Sequence, residues 1–269
     1  MSKRSYERRL KAKRMAEKEA RRRAGKMRKI RIGSSIAGAA AVAVVILLLV
    51  LNSGDGTKPS VSPTGSSLPG CTTPTPAPTP NGKKFTTAPA MSIDSSKIYE
   101  ATFQTSCGTI KMRMDPKSAP ASVNNFVFLA RQQYFDGTTI PRVQNSPNFQ
   151  IIQAGSQTGT ISGGVDYSYA GETPAPGSKY TRGVVAMANS QGPSTNGSQF
   201  FFVMSPSTPA LDQNANYSIF GKVEDATSLA TLDRILSAQG PRVDPQSDLG
   251  ITPQPPIHIL TVTIAEVAR

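Results

Sequence analysis

Side chains able to carry out covalent chemistry or to bind a metal are scarce in this chain of 269 residues. One His and two Cys cannot form the usual four-ligand His/Cys zinc site. His258 lies in an apolar, strand-like segment, where a structural role is expected, so Ser–His and Cys–His nucleophile systems are not supported. Carboxylates are scattered, which argues against a paired acid and base. The sequence therefore predicts a reaction that needs no metal and no cofactor.

Polar amide side chains beside apolar strand residues form the most informative pattern. They lie in segment 187–189 (MAN) and in segment 196–201 (NGSQFF). Asn and Gln side chains can bond a peptide backbone, and the neighbouring Phe residues can line a pocket for an apolar side chain. The pattern predicts a groove that binds an extended peptide.

Seven stretches of this sequence match a known family. They are 123–130 (VNNFVFLA), 134–138 (YFDGT), 141–143 (PRV), 153–155 (QAG), 183–189 (GVVAMAN), 195–201 (TNGSQFF) and 217–223 (YSIFGKV). Over residues 98–267 the chain resembles the cyclophilin-type peptidyl-prolyl cis-trans isomerases. Its basic N-terminus and the run 162–164 (SGG) make it similar to the membrane-anchored members of that family from actinobacteria.

The resemblance implies a mainly β fold, a closed eight-stranded antiparallel barrel capped by two α-helices. It also implies catalysis of cis/trans isomerisation at Xaa–Pro bonds, whose barrier of about 18–20 kcal/mol comes from amide resonance. Such an enzyme must stabilise a twisted amide with a basic nitrogen. A cation that donates a hydrogen bond in a dry pocket suits that need. Arg142 matches the family's catalytic Arg.

The resemblance assigns further roles to individual residues. Gln153 should orient Arg142 and the substrate, and is counted with it as catalytic. Met187 is expected in the core rather than in the site. The expected substrate-binding residues are Ile151 and Phe201 in the proline pocket, Leu211 and Tyr217 at its walls, Asn189 with its flanking Ala188 and Ser190 along the substrate backbone, and Gln199 at a substrate carbonyl.

Four positions depart from the family pattern. Pro141 replaces a His before the catalytic Arg, and Gln191 is an insertion. Gln150 stands where a pocket Phe is expected; Phe149 lies one position early, which in a strand reverses the face unless a bulge restores it. Ala210 replaces a frequent Trp, so weak cyclosporin binding is expected. These departures keep open an alternative function, a catalytically weak peptide-binding or chaperone module.

Apolar periodicity predicts the elements that position these residues. Alternation predicts strands, and the spacing of apolar residues over 119–132 and 227–236 predicts two helices, with Ser118 as a candidate N-cap of the first. The predicted strands are 98–104 and 109–114 around a turn at 106–108, then 150–153, 184–188, 200–204, 218–223 and 257–267.

The net charge of +13 is concentrated in the first 31 residues, which hold 15 Lys and Arg against 3 Glu. A nucleic-acid-binding domain would spread basic and aromatic residues over a folded surface, so no nucleic-acid partner is expected. The apolar run that follows is long enough to cross a bilayer. The positive-inside rule then predicts a cytoplasmic tail at 1–32, a transmembrane helix at 33–52 and an extracytoplasmic remainder.

Other interpretations of the apolar run remain open. They are a cleaved signal peptide, a lipoprotein signal ending near Cys71, and a buried core helix. Residues 53–92 are rich in Pro, Thr and Ser and predict a disordered stalk, followed by an isomerase domain at 93–269. Outside the cytoplasm, Cys71 and Cys107 are either a disulfide or two free thiols. The expected partners are proline-containing segments of exported proteins, bound by a monomer.

Overall fold

The computed structural model describes residues 68–213, 215–246 and 249–269. The predicted cytoplasmic tail, the transmembrane helix at 33–52 and the first part of the stalk lie outside these residues. Within the described ranges, no helix is both long enough and apolar enough to span a membrane.

Over the described residues, eight antiparallel strands form one sheet, which confirms the predicted mainly β fold. The order across the sheet is β3-β4-β6-β5-β7-β2-β1-β8. The strands are β1 (Ile98–Thr105), β2 (Gly108–Met114), β3 (Arg142–Ser146), β4 (Phe149–Ala154), β5 (Val184–Met187), β6 (Phe200–Val203), β7 (Ile219–Lys222) and β8 (Ile259–Val267). Strand β3 was not predicted, because its RVQNS sequence carries few apolar residues.

The two edges of the sheet meet just before β3 and β8 begin. Gly137 N–H donates to the Ile259 carbonyl at 2.9 Å, and Ile140 N–H donates to the Ile257 carbonyl at 2.9 Å. Between them lies an isolated bridge from Thr139 to His258. The sheet is therefore a strongly curled half-barrel and not the predicted closed barrel. In the described residues its edges join over this short stretch rather than along the full length of β3 and β8.

Three α-helices accompany the sheet in the described ranges: α1 (Pro120–Arg131), the single turn α2 (Pro209–Asp212) and α3 (Ala226–Leu236). The two longer helices were predicted, and the short one was not. Packed rings hold α1 against the sheet: the Phe126 centroid lies 5.0 Å from that of Phe135 and 5.4 Å from that of Phe200.

The N-terminus of α1 is capped by a distant residue. Ser118 was the predicted N-cap, but Ala119 occupies that position and no side chain caps the helix from there. Instead the Glu172 carboxylate accepts hydrogen bonds from Ala121 N–H at 2.6 Å and from the Ser122 hydroxyl at 2.6 Å. An anion at a helix N-terminus is favourable, so a long-range contact replaces the local cap.

Strands β5 and β6 are buried on both faces, which divides the apolar residues into two clusters. Phe200 and Phe202 point into the core inside the curled sheet. Phe201 and Val203, one residue out of phase, belong to a second cluster on the opposite face. This alternation is the period of two of a β-strand, and it gives the sheet an apolar surface outside its core.

Residues 68–92 lie against the domain, and we call them the N-terminal strap. Leu68, Cys71 and Phe85 pack on the core, and the sulfurs of Cys71 and Cys107 form a disulfide. The prediction of a disordered stalk is therefore wrong for this part of the chain. The packing of Leu68, Cys71 and Phe85 and the disulfide bond together offset the entropy cost of ordering this segment. Its Pro- and Thr-rich composition alone had indicated that this cost would not be offset.

Reduction of the Cys71–Cys107 disulfide should lower the free energy of unfolding by roughly 3–4 kcal/mol, because the bond limits the unfolded chain over a sequence separation of 36 residues. Urea denaturation with and without reductant measures the change. In a double variant, Cys71→Ser with Cys107→Ser, reductant should have no effect. Wild-type protein whose mass does not rise by two hydrogens on reduction would contradict the bridge.

Stability should fall as the pH drops from 6.5 to 5, because burial lowers the pKa of His258 below its ordinary value of 6.5. In this range the unfolded chain binds more protons at His258 than the folded chain does, so acid favours unfolding. Urea denaturation between pH 5 and 7.5 measures the slope. His258→Asn should flatten it, since the chain has no other His. An equal slope in both proteins would refute this origin.

Candidate active site

A row of residues crosses four neighbouring strands at the candidate site. Arg142 of β3 lies opposite Gln153 of β4, which lies opposite Phe201 of β6, which in turn lies opposite Ala186 of β5. Directly opposed residues in antiparallel strands present their side chains on the same face. The register therefore brings a guanidinium, a carboxamide and an aromatic ring together on one face of the sheet.

Three neutral oxygen atoms hold the Arg142 guanidinium. Nη1 donates to Oε1 of Gln153 at 3.1 Å, Nη2 donates to Oε1 of Gln144, and Nε donates to the carbonyl oxygen of Leu249. Burial lowers the pKa of Arg142 from its ordinary value. A guanidinium nevertheless stays charged in proteins, so the site holds an oriented cation that has no carboxylate partner among the described residues.

Two of these three supports were missed in the sequence. Gln144 lies two residues after Arg142, and strand periodicity places both on one face once β3 is recognised. Leu249 has no such signal, since it is 107 residues away and offers only its backbone carbonyl. The pairing of Val143 with Ile251, through two hydrogen bonds of 2.8 and 2.9 Å, brings that carbonyl to the site.

A chain of carboxamides leads from Arg142 into the neighbouring loop. Nε2 of Gln153 donates to Oε1 of Gln199 at 2.8 Å, and Nε2 of Gln199 donates to the carbonyl oxygens of Ile161 at 3.0 Å and of Gly163. The resemblance assigned Gln199 to a substrate carbonyl. In this structure both of its N–H groups bond the loop, so Gln199 links Gln153 to that loop instead.

The second apolar cluster lies beside the guanidinium, because Phe201 is paired with Gln153, which bonds Arg142. We call this cluster the apolar pocket, after the role predicted for its residues. It brings together four residues predicted to bind substrate, Ile151, Phe201, Leu211 and Tyr217. The rings of Phe201 and Tyr217 meet edge to face, with centroids 5.4 Å apart. Met187 is instead buried in the main core, as predicted. An apolar pocket with one oriented cation at its rim suits a compact apolar group attached to a polar amide.

Phe149 reaches this pocket even though it lies one position before the expected one. It packs against the cluster that contains Ile151, two residues further along β4, because residues two apart in a strand share a face. Gln150 bonds away from the pocket: its Nε2 donates to Oδ1 of Asn145 at 2.7 Å. Strand periodicity alone therefore supplies an aromatic wall, without a bulge.

Tyr180 supports the pocket and was not predicted. Its hydroxyl donates to the Tyr217 carbonyl at 2.7 Å and accepts from Tyr217 N–H at 3.1 Å. Its own N–H donates to Oδ1 of Asp212, at the end of the helical turn that carries Leu211. Burial raises the pKa of Tyr180 to about 12, so the phenol stays neutral and keeps donating at neutral pH.

A polar cleft of about 360 Å³ adjoins this cluster at Ala188, which packs against the cluster and also lines the cleft. Ala188, Asn189 and Ser190 line one side of it, and the cleft loop, which we define as residues 156–168, lines the other. The Asn189 side chain is used within its own loop, since Nδ2 donates to the Asn216 carbonyl at 2.9 Å and Oδ1 accepts from Gly192 N–H at 2.9 Å. The Asn189 side chain therefore fixes the rim of the cleft.

Asn125 of α1 ties the two sides of this cleft together. Its Nδ2 donates to the Gly197 carbonyl at 2.9 Å, and its Oδ1 accepts from the Tyr167 hydroxyl at 2.6 Å. Asn125 stands in a matched stretch of the sequence but received no role there.

In the described ranges, no three His, Cys, Asp or Glu side chains approach one another as a metal site requires.

Comparisons with known proteins agree with this geometry. The family model described as "Cyclophilin type peptidyl-prolyl cis-trans isomerase/CLD" matches residues 101–263. A probable peptidyl-prolyl cis-trans isomerase B of Mycobacterium tuberculosis is 37% identical over 145 residues, which are 50% of this chain and 45% of that protein. A peptidyl-prolyl cis-trans isomerase of Helicobacter pylori is 36% identical over 140 residues, 52% of this chain and 82% of the relative.

A solved structure gives the same result. The crystal structure of a cyclophilin-type peptidyl-prolyl cis-trans isomerase of Cryptosporidium parvum has a TM-score of 0.51 and 29% identity, covering 62% of this chain and 98% of that one. The chain spans about half the length of the mycobacterial relative. The family model covers more than half of the chain, and the residues of this chain that match the family's site lie close together. The chain therefore belongs to the cyclophilin-type peptidyl-prolyl cis-trans isomerase family.

Proposed function

We propose that this protein catalyses cis/trans isomerisation of Xaa–Pro peptide bonds. The observation that carries the proposal is the Arg142 guanidinium, held by three neutral acceptors at the rim of an apolar pocket. The pocket takes the proline ring, and the residues before the proline lie extended along Ala188 to Ser190. A second structure of the Cryptosporidium relative was solved in the presence of the dipeptide Ala-Pro, which supports a ligand of this type.

Rotation about the amide bond removes its resonance and makes the prolyl nitrogen pyramidal and basic. A guanidinium has five N–H groups, and the three bonds to Gln153, Gln144 and Leu249 use three of them. The remaining donors are available to the nitrogen lone pair. Since that lone pair is exposed only in the twisted amide, the bond stabilises the transition state more than the planar substrate.

A second candidate function is a peptide-binding module with little catalysis. Pro141 and Ala210 motivated it in the sequence. In the structure the Pro141 carbonyl accepts from the Thr252 hydroxyl at 3.1 Å, which joins β3 to the segment that supplies the Leu249 carbonyl. Ala210 is exposed beside the buried Leu211, so a cyclosporin-like macrocycle would gain little there, and we propose that such ligands bind weakly.

The location and clients are also proposals. We propose that the domain works as a monomer outside the cytoplasmic membrane, on proline-containing segments of exported proteins. The concentrated positive charge before an apolar run supports this orientation. The Cys71–Cys107 bond supports it independently, since disulfides persist in oxidising compartments.

Arg142→Ala should lower kcat/KM for an Xaa–Pro peptide by about 100-fold or more, the usual cost of removing a transition-state donor. Exchange NMR on the full-length protein measures the rate, and circular dichroism checks the fold. Arg182→Ala is a matched control, because Arg182 pairs with Asp233 at the surface, and its rate should stay within about twofold of wild type.

Equal rates in wild type and Arg142→Ala would remove Arg142 from this role. A protein that binds the peptide but does not isomerise it would favour the binding module instead.

Protease added to intact cells should degrade the folded domain, because the proposed orientation exposes residues after 53 to the outside. Immunoblotting with an antibody against the domain measures the loss, and a cytoplasmic protein serves as the control for cell integrity. Protection of the domain in cells that stay intact would contradict the orientation but would leave the isomerase proposal untouched.

A further inference from the structure

We infer that the N-terminal strap, residues 68–92, positions one wall of the substrate cleft, and that Asn81 and Phe85 are its positioning residues. The inference rests on the proposed function, because it concerns how the site binds its peptide. It arises from the contacts of the strap, which connect the Cys71 disulfide at one end with the cleft loop at the other.

The strap is fixed firmly where it begins. Besides the Cys71–Cys107 bond, Thr72 N–H donates to the Ser106 carbonyl at 2.7 Å. Further along, it passes very close to the turn before β3: a Cβ atom added at Gly137 would lie 2.3 Å from the Thr79 carbonyl oxygen. Gly137 also has a φ of +74°, where a side chain is strained. Only glycine therefore permits the strap to follow this path.

The strap next covers the C-terminal end of α1. The Asn81 Nδ2 donates to the Gln133 carbonyl at 2.6 Å, and Lys83 Nζ donates to the Gln132 carbonyl at 2.8 Å. The last carbonyls of a helix lack partners within the helix, and a cation there is favoured by the helix dipole. These two side chains hold the strap in register with α1.

From this position the strap touches the cleft loop at two points. Oδ1 of Asn81 accepts from Nε2 of Gln157 at 3.1 Å, and the Phe85 carbonyl accepts from Asp166 N–H at 3.0 Å. These contacts flank Ile161 and Gly163, whose carbonyls bond Gln199. The strap thus holds both ends of the segment that forms the outer wall of the cleft.

The Phe85 ring supplies the apolar part of this contact. Its centroid lies 5.2 Å from that of Phe128 and 6.0 Å from that of Tyr134. The hydroxyl of Tyr134 lies 3.3 Å from that of Ser198, and Ser198 also lines the cleft. Loss of the ring would free the Phe85 carbonyl and with it the Asp166 end of the loop.

Arg142 does not depend on the strap directly, since Gln144 and Leu249 hold two of its nitrogens. A displaced cleft loop should therefore weaken peptide binding more than it slows the isomerisation of bound peptide. This separates a positioning role from general destabilisation, which would lower the amount of active enzyme and leave KM unchanged.

The test uses the full-length protein with a tetrapeptide that contains one Xaa–Pro bond. Phe85→Ala and Asn81→Ala should each raise KM by about fivefold while kcat changes less than about twofold. Phe85→Leu, which keeps an apolar anchor, should restore most of the affinity. Thr87→Ala, at an exposed strap residue, is the matched control and should behave as wild type. Asn81 is exposed, so its variant keeps the test valid should Phe85→Ala unfold.

Amide hydrogen exchange gives a readout that does not depend on activity. The Asp166 amide should be protected in wild type and exchange at least about tenfold faster in Phe85→Ala, the variant that frees its acceptor. Unchanged exchange at Asp166, or faster exchange with an unchanged KM, would overturn the inference. If wild type binds the peptide without isomerising it, the proposed function fails, and the dissociation constants of the variants decide the role of the strap.

Discussion

The site depends on one electrostatic constraint, a half-buried guanidinium whose charge no described residue neutralises. Arg142 is bound by the Gln153 and Gln144 carboxamides and by the Leu249 carbonyl. A carboxylate would hold the guanidinium more tightly but would neutralise it. Neutral acceptors fix its direction and leave its charge unneutralised, as the proposed bond to the prolyl nitrogen requires. Each of them comes from a different part of the chain, so the site exists only when β3, β4 and the segment around Leu249 are in register.

The curled sheet meets this constraint by using both of its faces. Residues of β6 alternate between the core, with Phe200 and Phe202, and the pocket, with Phe201 and Val203. The same strands therefore stabilise the fold and line the site. A shift of register by one residue would exchange the two sets. The packed rings around Phe126 resist such a shift, and in this way core packing determines the geometry of the site.

Local periodicity was enough to predict β1, β2, α1 and α3, because their apolar residues repeat at intervals that match each element. It failed where the stabilising contacts are distant. The strand β3 is polar and is defined by its pairing with β4. The cap of α1 comes from Glu172, and the strap is ordered by a disulfide and by Phe85. In the site, the matched motifs identified Arg142 and the residues of the apolar pocket. The Leu249 carbonyl could not be predicted, because a backbone group is the same for every residue type and leaves no pattern in the sequence.

A crystal structure of the protein with a bound Xaa–Pro peptide tests the role of Arg142 most directly. The proline ring should occupy the pocket of Ile151, Phe201 and Leu211, and a free N–H of Arg142 should lie within about 3 Å of the prolyl nitrogen. The bonds to Gln153, Gln144 and Leu249 should remain as they are without peptide. A proline ring bound in the pocket while the guanidinium points away from the nitrogen would contradict the proposed mechanism.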